Sequence, residues 1–384
     1  MTSSNNRGPL ARAYSTARRL GLAYPLRLAV HLSAFTILCF QQYGLDLKWE
    51  TYFVAAQTPF QPNHNAFWYH ESILHPVLAY FFGFNTTKLT FNLFVLGFYI
   101  LGLVYLAFIT RKKVSETWSL LFVAVVVFHP VSMIVFTWMG QTDAVLFLCT
   151  AVLFFADSAW TLFAFGLMGS LTNSSQMFLI VVTVLALRGA TEPLFTGLRK
   201  FLAVPGGWIL GRILVELYLW WFEIWIKVSR GDMLVERWLR QAWGAYDHPD
   251  YVWQTLYSAY LSCWPLFLVV TYLSFSVSKR LGGLLVLSNA AAIGVTLAVV
   301  DHTRILVILL WGPFVYCLFR TVSHLPLLSS FKRGLLMSAM IVTLIWGFFC
   351  RKEYTFDGQP YDMVETRGAF IIEVINTIAP ILGI

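Results

Sequence analysis

Long uncharged stretches constrain this chain more than any other feature of its sequence. Residues 89–110 and 117–138 contain no Asp, Glu, Lys or Arg, and a helix that crosses a bilayer needs roughly 20 apolar residues. The chain of 384 residues is 58% hydrophobic and 12% charged, whereas soluble domains are about 25% charged. Strands of an outer-membrane barrel would alternate apolar and polar residues. These runs therefore predict an all-α fold, a polytopic transmembrane helical bundle.

Lys and Arg residues set the predicted orientation of the helices, because short basic loops stay on the cytoplasmic side. The tail 1–26 contains arginines and no acid, so we expect it in the cytoplasm. A first span near 27–44 carries the chain out, and 89–110 returns it to the basic sequence at 111–113. Residues 45–88 are therefore predicted to form a large outer loop.

Two stretches depart from simple spans. Residues 73–84 are apolar but too short to cross, which predicts a helix that lies in the interface or re-enters. Residues 160–187 are interrupted at 171–176 by a largely polar sequence. This interruption predicts a broken helix or a hairpin, whose irregular backbone must be buried or line a cavity.

The remaining basic residues complete a single membrane domain over 27–350, with roughly nine to eleven helices. A second outer loop is expected at 229–252. The C-terminal segment 351–384 is expected outside, and its last part is a candidate for re-entering the membrane. Five cysteines lie in or beside apolar runs without metal-ligand spacing, so we expect packing roles for them, no metal and no other cofactor.

Three polar motifs fall on the predicted outer side, within 45–76, 138–143 and 301–304. In the second motif, Asp143 is either a simple N-cap of the helix that follows or a ligand for sugar hydroxyls. Gln141, two residues earlier, carries an amide that both donates and accepts hydrogen bonds, which suits hydroxyl recognition.

The third motif centres on Arg304. A local ion pair with Asp301, three residues earlier, is one interpretation. The other is that the planar guanidinium of Arg304 binds a phosphate at the membrane interface, with His302 assisting. Both interpretations remain open on the sequence alone.

The first outer loop supplies the candidate acids. Asp46 and Glu50 are the candidate catalytic residues, either of which could be the general base for an acceptor hydroxyl. Glu71, further along the same loop, is a candidate substrate-binding residue. Three histidines in this loop have no recognised metal spacing with these acids.

The order of these features resembles the GT-C superfamily of multispanning glycosyltransferases, which take sugars from polyprenyl-phosphate-linked donors. The sequence GQTDAV at 140–145, followed by an apolar helix and FGLMGSLT at 165–172, is similar to stretches in bacterial members. Those members often carry Lys after the Thr, where this chain has Asn173. The resemblance implies an enzyme of the bacterial inner membrane with Asp46 or Glu50 at the place of the catalytic acid.

Two other functions fit the same features. A polymerase of lipid-linked repeat units would need a second cationic site, for which Arg237 or Arg240 is the candidate. A transporter or flippase of a lipid-linked or anionic substrate is the non-enzymatic alternative. The net charge of +8 resides in residues that flank apolar segments, so nucleic acid is not an expected partner. The expected partners are a lipid-linked sugar donor, a glycan or lipid acceptor, and membrane lipids.

Overall fold

A computed structural model shows a bundle of helices. It describes residues 23–25, 27–33, 51–191, 194–229, 249–296, 302–349, 353–356 and 359–362. Within these ranges five helices are long and apolar enough to cross a membrane, or six if a bent pair forms one span. The helical bundle predicted from the sequence is thus confirmed. Most of the predicted outer loop 229–252 and of the C-terminal segment lies outside the described residues.

The helices are labelled in chain order. They are α1 (Thr51–Gln57), α2 (Leu74–Phe81), α3 (Lys88–Arg111), α4 (Glu116–Phe128), α5 (Pro130–Thr137), α6 (Asp143–Phe155), α7 (Ala159–Thr191), α8 (Leu194–Trp221), α9 (Pro249–Tyr260), α10 (Trp264–Val277), α11 (Lys279–Thr296), α12 (His302–Ser323) and α13 (Ser330–Phe349). The strands are β1 (Asn63–Phe67), β2 (Ile224–Val228), β3 (Glu353–Phe356) and β4 (Gln359–Asp362).

Helix α6 is the centre of the bundle. All 13 of its residues are buried, and it packs against α3, α7 and α12. At 1.5 Å per residue it is about 20 Å long, shorter than a hydrocarbon core of about 30 Å. Both of its ends, with their unpaired backbone N–H and C=O groups, therefore lie inside the protein and need partners there.

Helices α3 and α12 flank α6 and run parallel to it. Asn92, near the start of α3, lies against the turn that precedes α6, and Gly102 further along α3 faces Phe147 in the middle of α6. In α12, Arg304 meets the first residue of α6, and the ring of Tyr316 lies 5.3 Å from that of Phe154. We call the end of the bundle where these three helices begin the Arg304 end.

The opposite end is the Arg188 end, named for a residue in the last turn of α7. Arg111 and Arg320 occupy the last turns of α3 and α12 at this end. The described residues near the N-terminus lie here too. The Tyr24 hydroxyl donates to the Ala107 carbonyl over 3.0 Å. Basic residues that were predicted to lie on one side of the membrane thus share one end of the bundle.

Helix α7 is broken, as predicted from its polar interruption. Asn173 has non-helical backbone angles of φ −158° and ψ 91°. The two ends of α7 nevertheless lie together, because Arg188 Nη1 donates to the carbonyl of Ala156, just before α7 begins, over 2.8 Å. The helix therefore turns back on itself as a hairpin whose tip points toward the Arg304 end.

The backbone groups that the break exposes have partners. The Leu171 carbonyl accepts from Ile73 N over 2.9 Å, and the Ser174 carbonyl accepts from Trp208 Nε1 over 2.9 Å. The Asn173 side chain accepts from Gln176 N over 3.2 Å and so caps the second half. Irregular backbone inside the bundle is tolerated because protein groups satisfy it.

The stretch 117–138, predicted as one span, is two helices at an angle of 53°. Proline at position 130 has no N–H, so it cannot continue the hydrogen bonds of α4 and begins α5 instead. His129 caps this new start, since its Nδ1 accepts from Val131 N over 3.1 Å. The predicted span is thus broken into two helices, and Pro130 is the physical reason for the bend.

Two small sheets add to the helices. Strands β1 and β2 pair in parallel and β3 pairs with β4 as an antiparallel hairpin. The parallel pair joins the first predicted outer loop to the chain that follows α8. Helix α2, only eight residues long, confirms the short helix predicted within 73–84.

Candidate functional site

A buried ion pair joins two helix N-termini at the Arg304 end. Arg304 Nε donates to Asp143 Oδ2 over 2.8 Å, between residues 161 positions apart in the sequence. Asp143 is fully buried and Arg304 is 8% exposed. Desolvating two such charges costs several kcal/mol per ion, so the pair persists only because its partners lie at hydrogen-bond distance.

Two further groups hold the guanidinium of Arg304 in place. Its Cζ lies 5.1 Å from the centre of the Trp138 ring, at a distance typical of a cation–π contact. Its Nη2 lies 3.5 Å from the Thr142 hydroxyl. The motif at 138–143 thus surrounds this arginine with an aromatic face, a hydroxyl and a carboxylate.

The helix dipoles act differently on the two partners. Asp143 is the first residue of α6, where the positive end of the dipole favours an acid. The N-cap itself is Thr142, and the carboxylate of Asp143 bonds to Arg304 rather than only capping its own helix. Arg304 lies in the first turn of α12, where the same effect disfavours a cation. The fold thus holds a buried arginine where its own helix does not stabilise it.

Gly140 shapes the turn into α6. Its φ of +85° is favourable only for glycine, and a Cβ there would collide with the Asn92 side-chain oxygen. Asn92 therefore lies directly against the backbone of the motif. Because no larger residue fits between them, the close approach is a requirement of this turn.

Asn92 and Gln141 bring buried amides to the site. Asn92 is fully buried and Gln141 is 2% exposed. Among the described residues, neither the Oδ1 nor the Nδ2 of Asn92 has a hydrogen-bond partner, and the same holds for Gln141 Oε1. Leaving a buried polar group unpaired costs about 1–3 kcal/mol, so these amides lower the free energy of unfolding.

Asn92 was not identified from the sequence. The signal was present, since it is the one amide in the uncharged run 89–110. A polar residue inside a helix that is predicted to span a membrane is a functional candidate by default. Only its contact with Gly140, 48 positions later in the chain, places Asn92 at the site.

Part of the first predicted outer loop reaches the site through aromatic rings. The ring centres of Tyr52 and His75 are 4.9 Å apart, and those of His75 and Phe91 are 6.0 Å apart. Phe91 in turn lies beside the turn at Gly140. The loop residues that the structure describes therefore pack onto the motif at 138–143.

Glu71 belongs to a second ionic group. Its Oε2 lies 3.9 Å from Arg212 Nη1, and Arg212 also pairs with Glu216, four residues along α8. A spacing of four residues places Arg212 and Glu216 on one face of this helix. Glu71 is 6% exposed, and Arg212 belongs to α8 rather than to α12. Its contacts are those of a residue that ties the loop to α8.

His70 precedes Glu71 and contacts the loop backbone. Its Nδ1 lies 3.3 Å from the Phe67 carbonyl, and its Nε2 lies 3.5 Å from the Asn63 side chain. Burial lowers the pKa of His70 below its usual value, although the hydrogen bond to Phe67 acts in the opposite direction. The neutral imidazole is therefore the form that the folded loop favours.

Several predicted site residues fall outside what can be described. Asp46, Glu50 and Asp301 lie outside the described residues, and His302 is described only as the first backbone position of α12. Across the described parts of the chain, no group of three or more His, Cys, Asp and Glu residues could hold a metal ion. The structure thus brings together Gln141, Asp143 and Arg304 of the predicted set.

No protein-family model, curated protein or solved structure matches this chain. The case for a function therefore rests on its own residues.

Proposed function

We propose that this protein is an integral-membrane glycosyltransferase of the GT-C type, which transfers a sugar from a polyprenyl-phosphate-linked donor to a glycan or lipid acceptor. The observation that carries the proposal is the buried Asp143–Arg304 pair, set beneath a loop and beside two buried amides. A charged group next to neutral hydrogen-bonding groups suits a substrate that is part phosphate and part sugar.

The distribution of exposed tryptophans supports placing the bundle in a membrane. Trp220 and Trp221, at the C-terminus of α8, are 74% and 71% exposed. Trp160, at the Arg188 end, is 82% exposed. Lys200, which pairs with Asp157 at that end, precedes Trp221 by about 32 Å of helix, close to the thickness of a hydrocarbon core. Such tryptophans typify the two membrane interfaces.

The basic residues at the Arg188 end support the orientation. With these residues and the N-terminus in the cytoplasm, the Arg304 end faces the opposite side, and for a bacterium that side is the periplasm. Strand β1 and helix α2 would then lie at the outer interface. A lipid-linked sugar that is presented on that face would approach the loop that lies over the ion pair.

The proposed transfer reaction uses a carboxylate as the base and Arg304 to stabilise the leaving phosphate. The acceptor hydroxyl loses its proton to a carboxylate, for which Asp46 and Glu50 are the candidates. Its oxygen bonds to the anomeric carbon, and the bond from that carbon to the donor phosphate oxygen breaks, so that the configuration inverts. The phosphate leaves with the bonding electrons, and Arg304 stabilises the negative charge that develops on it.

Asp143 has a different role in this scheme from the hydroxyl binding predicted from the sequence. With its Oδ2 bonded to Arg304 Nε, it orients the guanidinium and keeps the pair neutral until substrate arrives. Hydroxyl recognition then falls to neutral groups such as Gln141.

The test is transfer by the purified full-length chain in liposomes. Polyprenyl-phosphate donors that carry radiolabelled hexoses are supplied with membrane lipid extract, and the label that moves to acceptor is measured together with released polyprenyl phosphate. Wild type is expected to transfer label, and Asp46→Asn combined with Glu50→Gln is expected to abolish transfer. If wild type releases no polyprenyl phosphate from any donor, the proposal is wrong.

A second candidate function is transport of a lipid-linked or anionic substrate. The hairpin in α7 favours it, because transporters often bind substrates at discontinuous helices. Transport would move labelled lipid between the leaflets of the liposome without breaking its sugar–phosphate bond. One experiment distinguishes transfer from transport, because it measures both the chemical form of the labelled molecule and the leaflet in which that molecule lies.

A further inference from the structure

The most informative feature that the charged groups leave unexplained is the pair of buried amides. Asn92 is fully buried in α3, one turn past the capping box of Thr87 and Thr90. Both polar atoms of its side chain lack hydrogen-bond partners among the described residues, as does Gln141 Oε1. Buried amides are ordinarily paired, so these atoms point to a partner outside the framework that the structure describes.

The turn into α6 is built around the Asn92 amide. Gly140 adopts a φ of +85°, and its missing side chain leaves the space that the oxygen of Asn92 occupies. Gln141 is the next residue after Gly140, and Asp143 begins the helix that follows. Asn92 therefore contacts the glycine that directly precedes Gln141, and Gln141 comes two residues before the Asp143 that pairs with Arg304.

The chemistry of these groups selects the class of ligand. A phosphate offers acceptors alone and a cation needs acceptors alone, whereas a sugar hydroxyl both donates and accepts. Asn92 Nδ2 can donate to a hydroxyl oxygen, and Asn92 Oδ1 and Gln141 Oε1 can each accept a hydroxyl proton. Three such positions match two adjacent hydroxyls on a ring.

We infer that Asn92 and Gln141 form a hydroxyl-binding subsite that takes the sugar ring of the substrate, while the neighbouring Arg304 serves the anionic part. That the sugar belongs to a polyprenyl-phosphate donor rests on the proposed function. The binding of neutral hydroxyls by the two amides does not depend on the proposed function. The subsite determines specificity for the sugar and takes no part in bond breaking.

Stability without any ligand gives the first test. In Asn92→Leu, an apolar side chain of similar size replaces an amide without partners, so the melting temperature is expected to stay equal or to rise. The matched control is Asn289→Leu. Asn289 is also buried, but it accepts from the Tyr260 hydroxyl over 2.5 Å and donates to the Leu285 carbonyl over 2.7 Å, so its replacement is expected to lower the melting temperature. A comparable decrease in both variants would show that Asn92 is a structural residue and would overturn the inference.

Binding gives the second test. The probes are polyprenyl phosphate and the same lipid phosphate that carries a hexose, drawn from glucose, mannose and galactose. Wild type is expected to bind one hexose-bearing lipid at least about tenfold more tightly than the bare phosphate. Asn92→Leu and Gln141→Met are expected to bind bare polyprenyl phosphate as wild type does and to lose this preference. A preference that survives in both variants contradicts the inference.

A soluble probe separates this inference from the proposed function. Methyl hexosides present the hydroxyls without lipid or phosphate, and their contact with the protein is measured by saturation-transfer NMR. If wild type binds neither polyprenyl lipid, the proposed donor is wrong, and the inference is decided by the hexosides. Contact that is present in wild type and absent in Asn92→Leu supports the subsite, and no contact in wild type overturns it.

Discussion

The two ends of helix α6 each hold a buried arginine, and the two arginines do different things. Arg188 is 5% exposed, and its Nη1 donates to the carbonyls of Leu153 and Ala156 over 3.0 and 2.8 Å. These carbonyls belong to the C-terminal end of α6, where backbone acceptors lack partners in their own helix and a cation is favoured. The carbonyls at the C-terminal end of α6 therefore explain why Arg188 is buried there.

Arg304, at the other end, has no such explanation. It lies at the start of its own helix, where the dipole opposes it, and it depends on Asp143 and Trp138 for its position. Asp157, which lies 3.8 Å from Arg188, is exposed to solvent, whereas Asp143 is buried. The comparison teaches that burial alone does not mark a functional charge. A better indicator of a functional residue is a buried charge that its own helix does not stabilise.

The largest expected effect is on transfer activity. Arg304→Lys keeps the charge but removes the planar fork, and it is expected to lower kcat by about a hundred- to thousandfold, since fixed donors supply that much transition-state stabilisation. Arg188→Lys is the matched control and is expected to change kcat by less than about threefold. Both rates are measured per folded protein in liposomes. If kcat falls equally in the two variants, Arg304 is no more important for transfer than Arg188.

The second prediction concerns the stability of the charge pair. Arg304→Met leaves Asp143 buried without its partner and is expected to cost about 3–5 kcal/mol of unfolding free energy. Adding Asp143→Leu removes the unpaired charge and is expected to restore most of that loss, because apolar residues of similar size replace buried pairs well. Transfer activity is expected to stay absent in the double variant.

Reversible unfolding in mixed micelles measures these differences in free energy. A double variant that is no more stable than Arg304→Met would mean that other groups, rather than the charge of Asp143, set the cost. A double variant that regains activity would show that the pair is a packing element and that the catalytic site lies elsewhere.

The third prediction uses two glycines with positive φ. Gly140 has a φ of +85° and contacts Asn92, whereas Gly83 has a φ of +73° with nothing near its missing side chain. Gly83→Ala therefore introduces backbone strain alone, about 1 kcal/mol. Gly140→Ala adds displacement of Asn92, so a further loss of about 1–3 kcal/mol is expected. Equal losses of unfolding free energy would mean that Asn92 moves aside without cost.

Much of the framework could be predicted from the sequence. The short helix α2, the break in α7 and the long apolar helix α3 each follow from local apolar length or polar interruption. The basic residues also predicted which helix ends would lie together. These features are local, because one stretch of chain contains the whole signal.

The site could be predicted only in part. Asp143 and Arg304 were recognised as polar residues on one predicted side, but their bond joins distant positions, and the sequence equally allowed a local pair of Arg304 with Asp301. Only the contact between Asn92 and Gly140 shows that Asn92 belongs to the site. The parallel pairing of β1 with β2 likewise joins two short segments that carry no pattern of their own.

The smallest expected effect is a pH dependence in the loop that covers the Arg304 end. Because burial lowers the pKa of His70, the loop binds fewer protons when ordered than when disordered. Its stability is therefore complete above the ordinary histidine pKa of about 6.5 and decreases as the pH falls through the lowered value. Amide hydrogen exchange in residues 63–75, corrected for intrinsic rates, is expected to quicken between pH 7.5 and 5.

The control for this effect is His70→Asn, which keeps a hydrogen-bonding side chain but cannot titrate in that range. In this variant the pH dependence of residues 63–75 is expected to disappear, whereas exchange in residues 153–157, at the Arg188 end, is expected to stay the same in both proteins. A pH dependence that persists in His70→Asn would assign it to another group. If both ends change together, protonation loosens the whole bundle, and the loop has no separate response.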